Sequence, residues 1–98
     1  MKTLGTKTRP RLSVYKSNKV IYAQIINDEE AKTVLAGDSR SIDSKKKPAE
    51  KAFDLGIQVA KLCKEKKIES LIFDRNGFRY HGQVKALAEG IREGGIKV

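Results

Sequence analysis

A chain of 98 residues has room for one domain with a modest core and none for a second. Its 21 basic and 12 acidic residues leave a net charge of +9, a self-repulsion that a polyanion partner relieves. A single cysteine excludes an intramolecular disulfide, and no apolar run approaches the about 18 residues of a membrane span.

The segment after Met1 has no apolar core of the kind a secretory leader needs, and no basic amphipathic helix carries an aromatic face for a membrane surface. The charge is unevenly spread. Residues 1–27 hold six basic groups, Lys2, Lys7, Arg9, Arg11, Lys16 and Lys19, and no acid. Residues 28–43 hold five acids against two bases, so they fall outside that basic patch.

Residues 1–10 read as a basic arm on a single domain spanning 1–98. From Arg11 to Val20 the sequence alternates, with Leu12 and Val14 facing one way and Arg11, Ser13 and Tyr15 the other. Ser17-Asn18-Lys19 has turn chemistry. Val20–Asn27 is a second strand, with Ile21, Ala23 and Ile25 on one face and Tyr22 and Gln24 on the other. Asp28-Glu29-Glu30 is a polar turn, and Lys32–Gly37 is a third strand. Short links make these an antiparallel meander.

Ser39–Lys47 is a polar connector. Pro48 then occupies a favoured first helical position. Ala52, Leu55, Gly56, Val59, Leu62 and Cys63 recur at helical spacing between Ala49 and Lys67. Glu50 and Asp54 near its start and Lys64, Lys66 and Lys67 near its end suit the helix dipole. Gly56, costly in a helix, marks a close approach expected to be against the sheet. Leu71–Asp74 is a short buried strand. Val84, Leu87, Ala88 and Ile91 form a second helix, stopped by Gly94-Gly95. The expected fold is α/β, in the order βββ-α-β-α. The last strand lies parallel to a meander strand through a right-handed crossover, giving a mixed sheet with the helices packed on it.

Cys63 falls on the apolar stripe and reads as a buried structural thiol. His81, the single histidine, has no partner at metal-ligand spacing, so no metal or other cofactor is expected. The element order is similar to the opening of the ribonuclease H architecture. That chemistry needs carboxylates on strands to hold two divalent ions. The first strand has none, and Asp28, Glu29, Glu30 and Asp74 read as solvated loop groups. Neither an enzyme nor a small-molecule substrate is expected.

Two features point to RNA. The wet face of the first two strands joins Arg11, Ser13, Tyr15, Tyr22 and Gln24, flanked by Arg9, Lys16 and Lys19. Tyrosines stack on unpaired bases, and serine and glutamine bond phosphate or 2′-hydroxyl. The same residues would also suit an ordinary solvent face; the adjoining acid-free arm favours RNA. The second feature is F-D-R-N-G-F-R-Y-H-G, from Phe73 to Gly82. Asn76-Gly77 is a tight-turn dipeptide between a strand and a helix start, where free N–H groups favour phosphate. Arg75 and Arg79 flank it. A plainer reading, compatible with the first, has His81 capping the helix and Tyr80 packing as a lid.

Thr6–Ile26, with R-P-R-L-S-V-Y-K-S-N-K and I-Y-A-Q-I-I, and the block from Phe73 to Gly95 together resemble the bacterial large-subunit ribosomal protein L-eighteen family. The match runs from about Gly5 onward. The resemblance implies a binding protein that attaches to 5S rRNA and helps form the central protuberance. Its partners would be 5S rRNA, 23S-type large-subunit rRNA and neighbouring 5S-binding ribosomal proteins, on a cytoplasmic bacterial-type ribosome or an organellar counterpart. RNA contacts carry over to Lys2, Lys7, Arg9, Arg11, Ser13, Tyr15, Ser17, Asn18, Lys19, Tyr22 and Gln24. In the loop they carry over to Arg75, Gly77, Arg79, Tyr80, His81 and Gly82. Many members have a longer arginine-rich N-terminal extension, of which this sequence carries the end. Gln83 stands where arginine is usual, and Tyr15-Lys16 replaces the commoner Phe-Arg. A free-standing RNA-binding module and a nuclease-like enzyme are the alternatives.

Overall fold

A computed structural model describes residues 9–17, 20–42 and 45–98. Lys2, Lys7, Asn18 and Lys19, and the arm before Arg9, lie outside the described residues. The elements run β1 (Arg11–Lys16), β2 (Ile21–Asn27), β3 (Lys32–Asp38), a 3-10 turn (Ser39–Ser41), α1 (Pro48–Glu65), β4 (Ile72–Asp74) and α2 (Gln83–Glu93). This is the expected α/β order.

Strand alternation buries Leu12, Val14, Ile21, Ala23 and Ile25 on one face of the sheet. Each large aliphatic side chain so buried contributes about 1.5–3 kcal/mol. β2 pairs antiparallel with both β1 and β3. Ile25 lies opposite Leu35 and Ile26 opposite Thr33, so Val34 is an extra residue that bulges β3. β4 lies parallel to β1, and the sheet order is β3-β2-β1-β4. A parallel neighbour needs a long crossover, and α1 provides it, carrying the chain from one sheet edge to the other.

α1 begins with Pro48 at its first helical position, and the Lys47 N–H donates to Glu50 Oε2 at 3.3 Å. Its buried stripe is Ala52, Leu55, Gly56, Val59, Ala60 and Cys63. Leu62, expected on that stripe, lies at its margin and is 40% exposed. α2 buries Val84, Leu87, Ala88, Gly90 and Ile91.

Gly56 corrects one expectation. A methyl group there would collide with the Leu87 carbonyl and stand 2.8 Å from the Ile91 nitrogen. The close approach is therefore to α2, not to the sheet. Gly90 faces it, where a methyl group would run into the Phe53 carbonyl. Contact with the sheet comes through larger side chains, with Leu55 Cδ1 3.4 Å from where a Cβ on Gly37 would sit. The strand residues and both helices share one core. Ser13, Tyr15, Tyr22 and Gln24, on the opposite face, stay half-buried or exposed.

Candidate nucleic-acid interface

The antiparallel register of β1 and β2 sets Ser13 opposite Gln24 and Tyr15 opposite Tyr22 on the uncovered face. These four side chains line an open depression. The Tyr15 and Tyr22 rings lie 6.1 Å apart with a 46° tilt. Phe78, from the loop after β4, meets Tyr15 edge-on at 5.7 Å and 83°. The result is a ribbon of three rings. Lys16 Nζ lies 6.0 Å from the Phe78 ring centre at one end, and the Arg40 guanidinium 5.6 Å from that of Tyr22 at the other. Tyr15, in the middle, is 61% exposed.

The loop reaches this face through defined contacts. Asn76 and Gly77 both have positive φ, 50° and 80°, and the Phe78 N–H donates to the Arg75 carbonyl at 2.9 Å. That is a tight turn with two left-handed central residues, as the dipeptide predicts. The Asn76 N–H donates to Asp74 Oδ1 at 3.0 Å. The Asn76 side-chain amide donates to the Val14 carbonyl at 2.7 Å and to Ser13 Oγ at 3.0 Å. Further on, Tyr80 packs against Phe73, ring centres 6.0 Å apart. Its hydroxyl accepts from Arg92 Nη1 at 2.7 Å. Tyr80 thus packs as expected of a lid. His81 does not cap α2. Gly82 holds the N-cap position with φ 57° and no side-chain cap bond, and His81 is exposed. Lys16, Phe78, Arg79, His81 and Gly82 line a second open cleft beside Pro48 and Ala49, where α1 begins.

Asp28 and Asp74 are not solvated loop groups. Arg11 Nε and Nη2 donate to the two Asp28 oxygens at 3.0 and 3.2 Å, and Nη1 donates to Asp74 Oδ2 at 2.7 Å. The Arg11 side chain is 11% exposed, and those of Asp28 and Asp74 are 16% and 24%. The bond to Asp28 raises the Arg11 pKa most, against the opposing effect of burial, so its charge is permanent. Arg11 shares the strand face with Ser13 and Tyr15, but it ties the end of β2 and the end of β4 to β1. The acids meet it from 17 and 63 residues away, which strand alternation cannot reveal.

The remaining expected contacts are spread over the surface. Arg9 and Gln24 are exposed, as are Arg75, Gly77 and Arg79. The Ser17 N–H donates to the Val20 carbonyl at 2.8 Å, pairing the residue after β1 with the one before β2. Asn76, Phe78 and Arg40 were absent from the sequence-derived set. The first two sit inside the quoted stretch, so the tight turn was the available signal. Arg40 comes from the acid-rich segment judged outside the basic patch. Its guanidinium holds the Asp38 carboxyl below the usual carboxylate range through hydrogen bonds at 3.0 and 3.2 Å.

Among the described residues no group of three or more His, Cys, Asp or Glu side chains could hold a metal ion, and no helix is long and apolar enough to cross a membrane. Burial pushes the Cys63 thiol up to about 11.

Comparison with known proteins places this geometry in context. Residues 1–98 match the family model described as ribosomal L18 of archaea, bacteria, mitochondria and chloroplast. The chain is 51% identical over 98 residues to large ribosomal subunit protein uL18 of Clostridium perfringens, covering 98% of this chain and 82% of that one. It is 50% identical over 99 residues to uL18 of Lactiplantibacillus plantarum, with 98% and 82% covered. Against uL18 of Desulfovibrio desulfuricans it is 46% identical over 103 residues, with 98% and 84% covered.

Proposed function

This chain belongs to the uL18 family of ribosomal proteins, and on that premise we propose that it binds 5S rRNA through the uncovered sheet face and the Phe73–Gly82 loop and helps form the central protuberance. Its place is in the large ribosomal subunit, as a structural component. The finer partners, 23S-type rRNA and the neighbouring 5S-binding proteins, belong to the same proposal. So does a role without catalysis.

The single observation that carries the reading is Tyr15. It projects 61% exposed between two other rings, on a face that also offers Ser13 and Gln24 as hydrogen-bonding groups. An exposed aromatic held by neighbouring rings is a stacking platform for an unpaired base, and such a stack is worth about 1–3 kcal/mol. Arg79 and His81 line the cleft that Phe78 and Lys16 share beside that platform; Arg9 and Arg75 are exposed, and Lys2, Lys7, Asn18 and Lys19, in the segments outside the described residues, belong to the same proposal.

The test is filter binding to 5S rRNA across a salt series. Tyr15→Ala should weaken binding by about 1–3 kcal/mol with little change in the slope of log affinity against log salt. Lys61→Ala, exposed on the far side of α1, should change almost nothing. A silent Tyr15→Ala in a folded protein, or a Lys61→Ala loss of equal size, would move the RNA to the helical side. Co-sedimentation with large subunits separates this reading from a free-standing RNA-binding module. Magnesium-dependent cleavage of labelled RNA that disappears in Asp74→Asn would identify a nuclease instead.

A further inference from the structure

β4 is only three residues long, and its ladder with β1 ends at the pair Ser13–Asp74. β1 runs on to Lys16, so the Val14 carbonyl lies beyond that ladder. Asn76 meets it with a side-chain amide: Nδ2 donates to the Val14 carbonyl at 2.7 Å and to Ser13 Oγ at 3.0 Å. The same residue opens the turn at φ 50°, followed by Gly77 at φ 80°. Two successive left-handed residues reverse the chain, and Phe78 arrives over the sheet, edge-on to Tyr15 at 5.7 Å. The Asn76 N–H is meanwhile fixed by Asp74 Oδ1, whose other oxygen accepts from Arg11. Besides the Phe78 N–H bond to the Arg75 carbonyl and the packing of Phe78 on the core, the polar bonds from this turn to β1 are those of Asn76.

We infer that Asn76 is a positioning residue: its amide clasps the loop to β1, so that Phe78 braces Tyr15 and loop and sheet meet RNA as one surface formed in advance. A surface ordered before binding loses less conformational freedom on association, which improves affinity without a new contact. The RNA half of the inference rests on the function proposed above; the clasp itself does not.

The experiment has two readouts. In the free protein, ring-proton NMR of Tyr15 reports the neighbouring Phe78 ring. Asn76→Gly keeps the positive φ and removes the amide. Asn76→Asp keeps the shape and the turn and cannot donate to the Val14 carbonyl. Both should move the Tyr15 shifts toward those of Phe78→Ala while the methyl signals of Leu12, Val14 and Leu87 stay in place. Unmoved Tyr15 shifts in either variant overturn the clasp, whatever RNA does.

The second readout is 5S rRNA binding by Asn76→Gly. Affinity should fall about three- to tenfold with the salt slope unchanged, and Asn76→Gly combined with Phe78→Ala should bind no more weakly than Phe78→Ala alone. Additive losses, or no loss while Tyr15→Ala is weak, overturn the positioning role. If Tyr15→Ala is also silent, the sheet-face reading fails and takes the RNA role of Asn76 with it, while the ring shifts still decide the clasp.

Discussion

Arg11 opens the wet face of β1, yet its guanidinium is shared between Asp28 and Asp74. A cation holding two half-buried carboxylates has little left for phosphate. Its removal leaves like charges facing each other in a poorly hydrated place. Arg11→Ala should therefore destabilise the protein toward the lower end of about 3–5 kcal/mol, since the carboxylates keep partial exposure. A urea melt measures this. Exchanging Arg11 for Met together with Asp28→Asn and Asp74→Asn should recover much of the loss. The slope of RNA affinity against salt should stay at the wild-type value in folded Arg11→Ala, whereas Arg9→Ala should lower it by about 0.7–0.9. An unchanged melt with a lowered slope would return Arg11 to the phosphate contacts. Cys63 is simpler. Wholly buried on α1, its thiol is raised by desolvation to about 11, above its ordinary value of 9.0. The sign follows: burial of the neutral thiol contributes fully below pH 9.0 and is lost as pH rises through about 11. A disulfide reagent at pH 8 should not react with the native protein and should react fully in denaturant; fast native reaction would mean that the helix pair opens readily.

The two helices meet where Gly56 and Gly90 remove side chains from both surfaces, with the Gly56 Cα 3.2 Å from where a Cβ on Gly90 would sit. Alanine is the better helix former by about 1 kcal/mol, so a free helix would gain from the exchange. Here the added methyl group meets backbone, which cannot rotate away. Gly90→Ala and Gly56→Ala should each lose about 1–3 kcal/mol net, read as a lower urea midpoint. A midpoint that rises with alanine would show that the helices separate at little cost. This packing also marks how far the sequence can be read. Period-two alternation exposed β1 and β2, since one face is dry and the other wet, and Leu55, Val59 and Cys63 exposed α1 by their spacing. Gly56 announced a close approach without naming its partner, because a missing side chain says nothing about what fills the space. Asn76 was legible as turn chemistry. Its bond to Ser13 spans 63 residues and depends on the parallel register of β4 with β1, which no local pattern encodes.

One side of the sheet is dry, covered by both helices. The other carries the aromatic ribbon with Lys16 and Arg40 at its ends, on a protein whose net charge is +9. Charge of one sign at this density opposes folding of the free protein. Salt screens exposed charges separated by about 10 Å at 0.1 M, and screens the Arg11 pairs far less because they are half-buried. The repulsion should therefore weaken faster than the attraction. The thermal midpoint of the free protein should rise as salt goes from about 0.05 to 0.5 M. The complex with 5S rRNA should behave in the opposite way. Its extra stability is that of a ligand bound only by the folded state, and it shrinks as salt lowers affinity. The two melting curves should converge near the salt concentration at which filter binding shows the complex dissociating. Scanning calorimetry of both samples across the same series provides the check. A free protein that loses stability with added salt would mean that attractive pairs outweigh repulsion, and the excess of lysine and arginine would then be no strain for RNA to relieve.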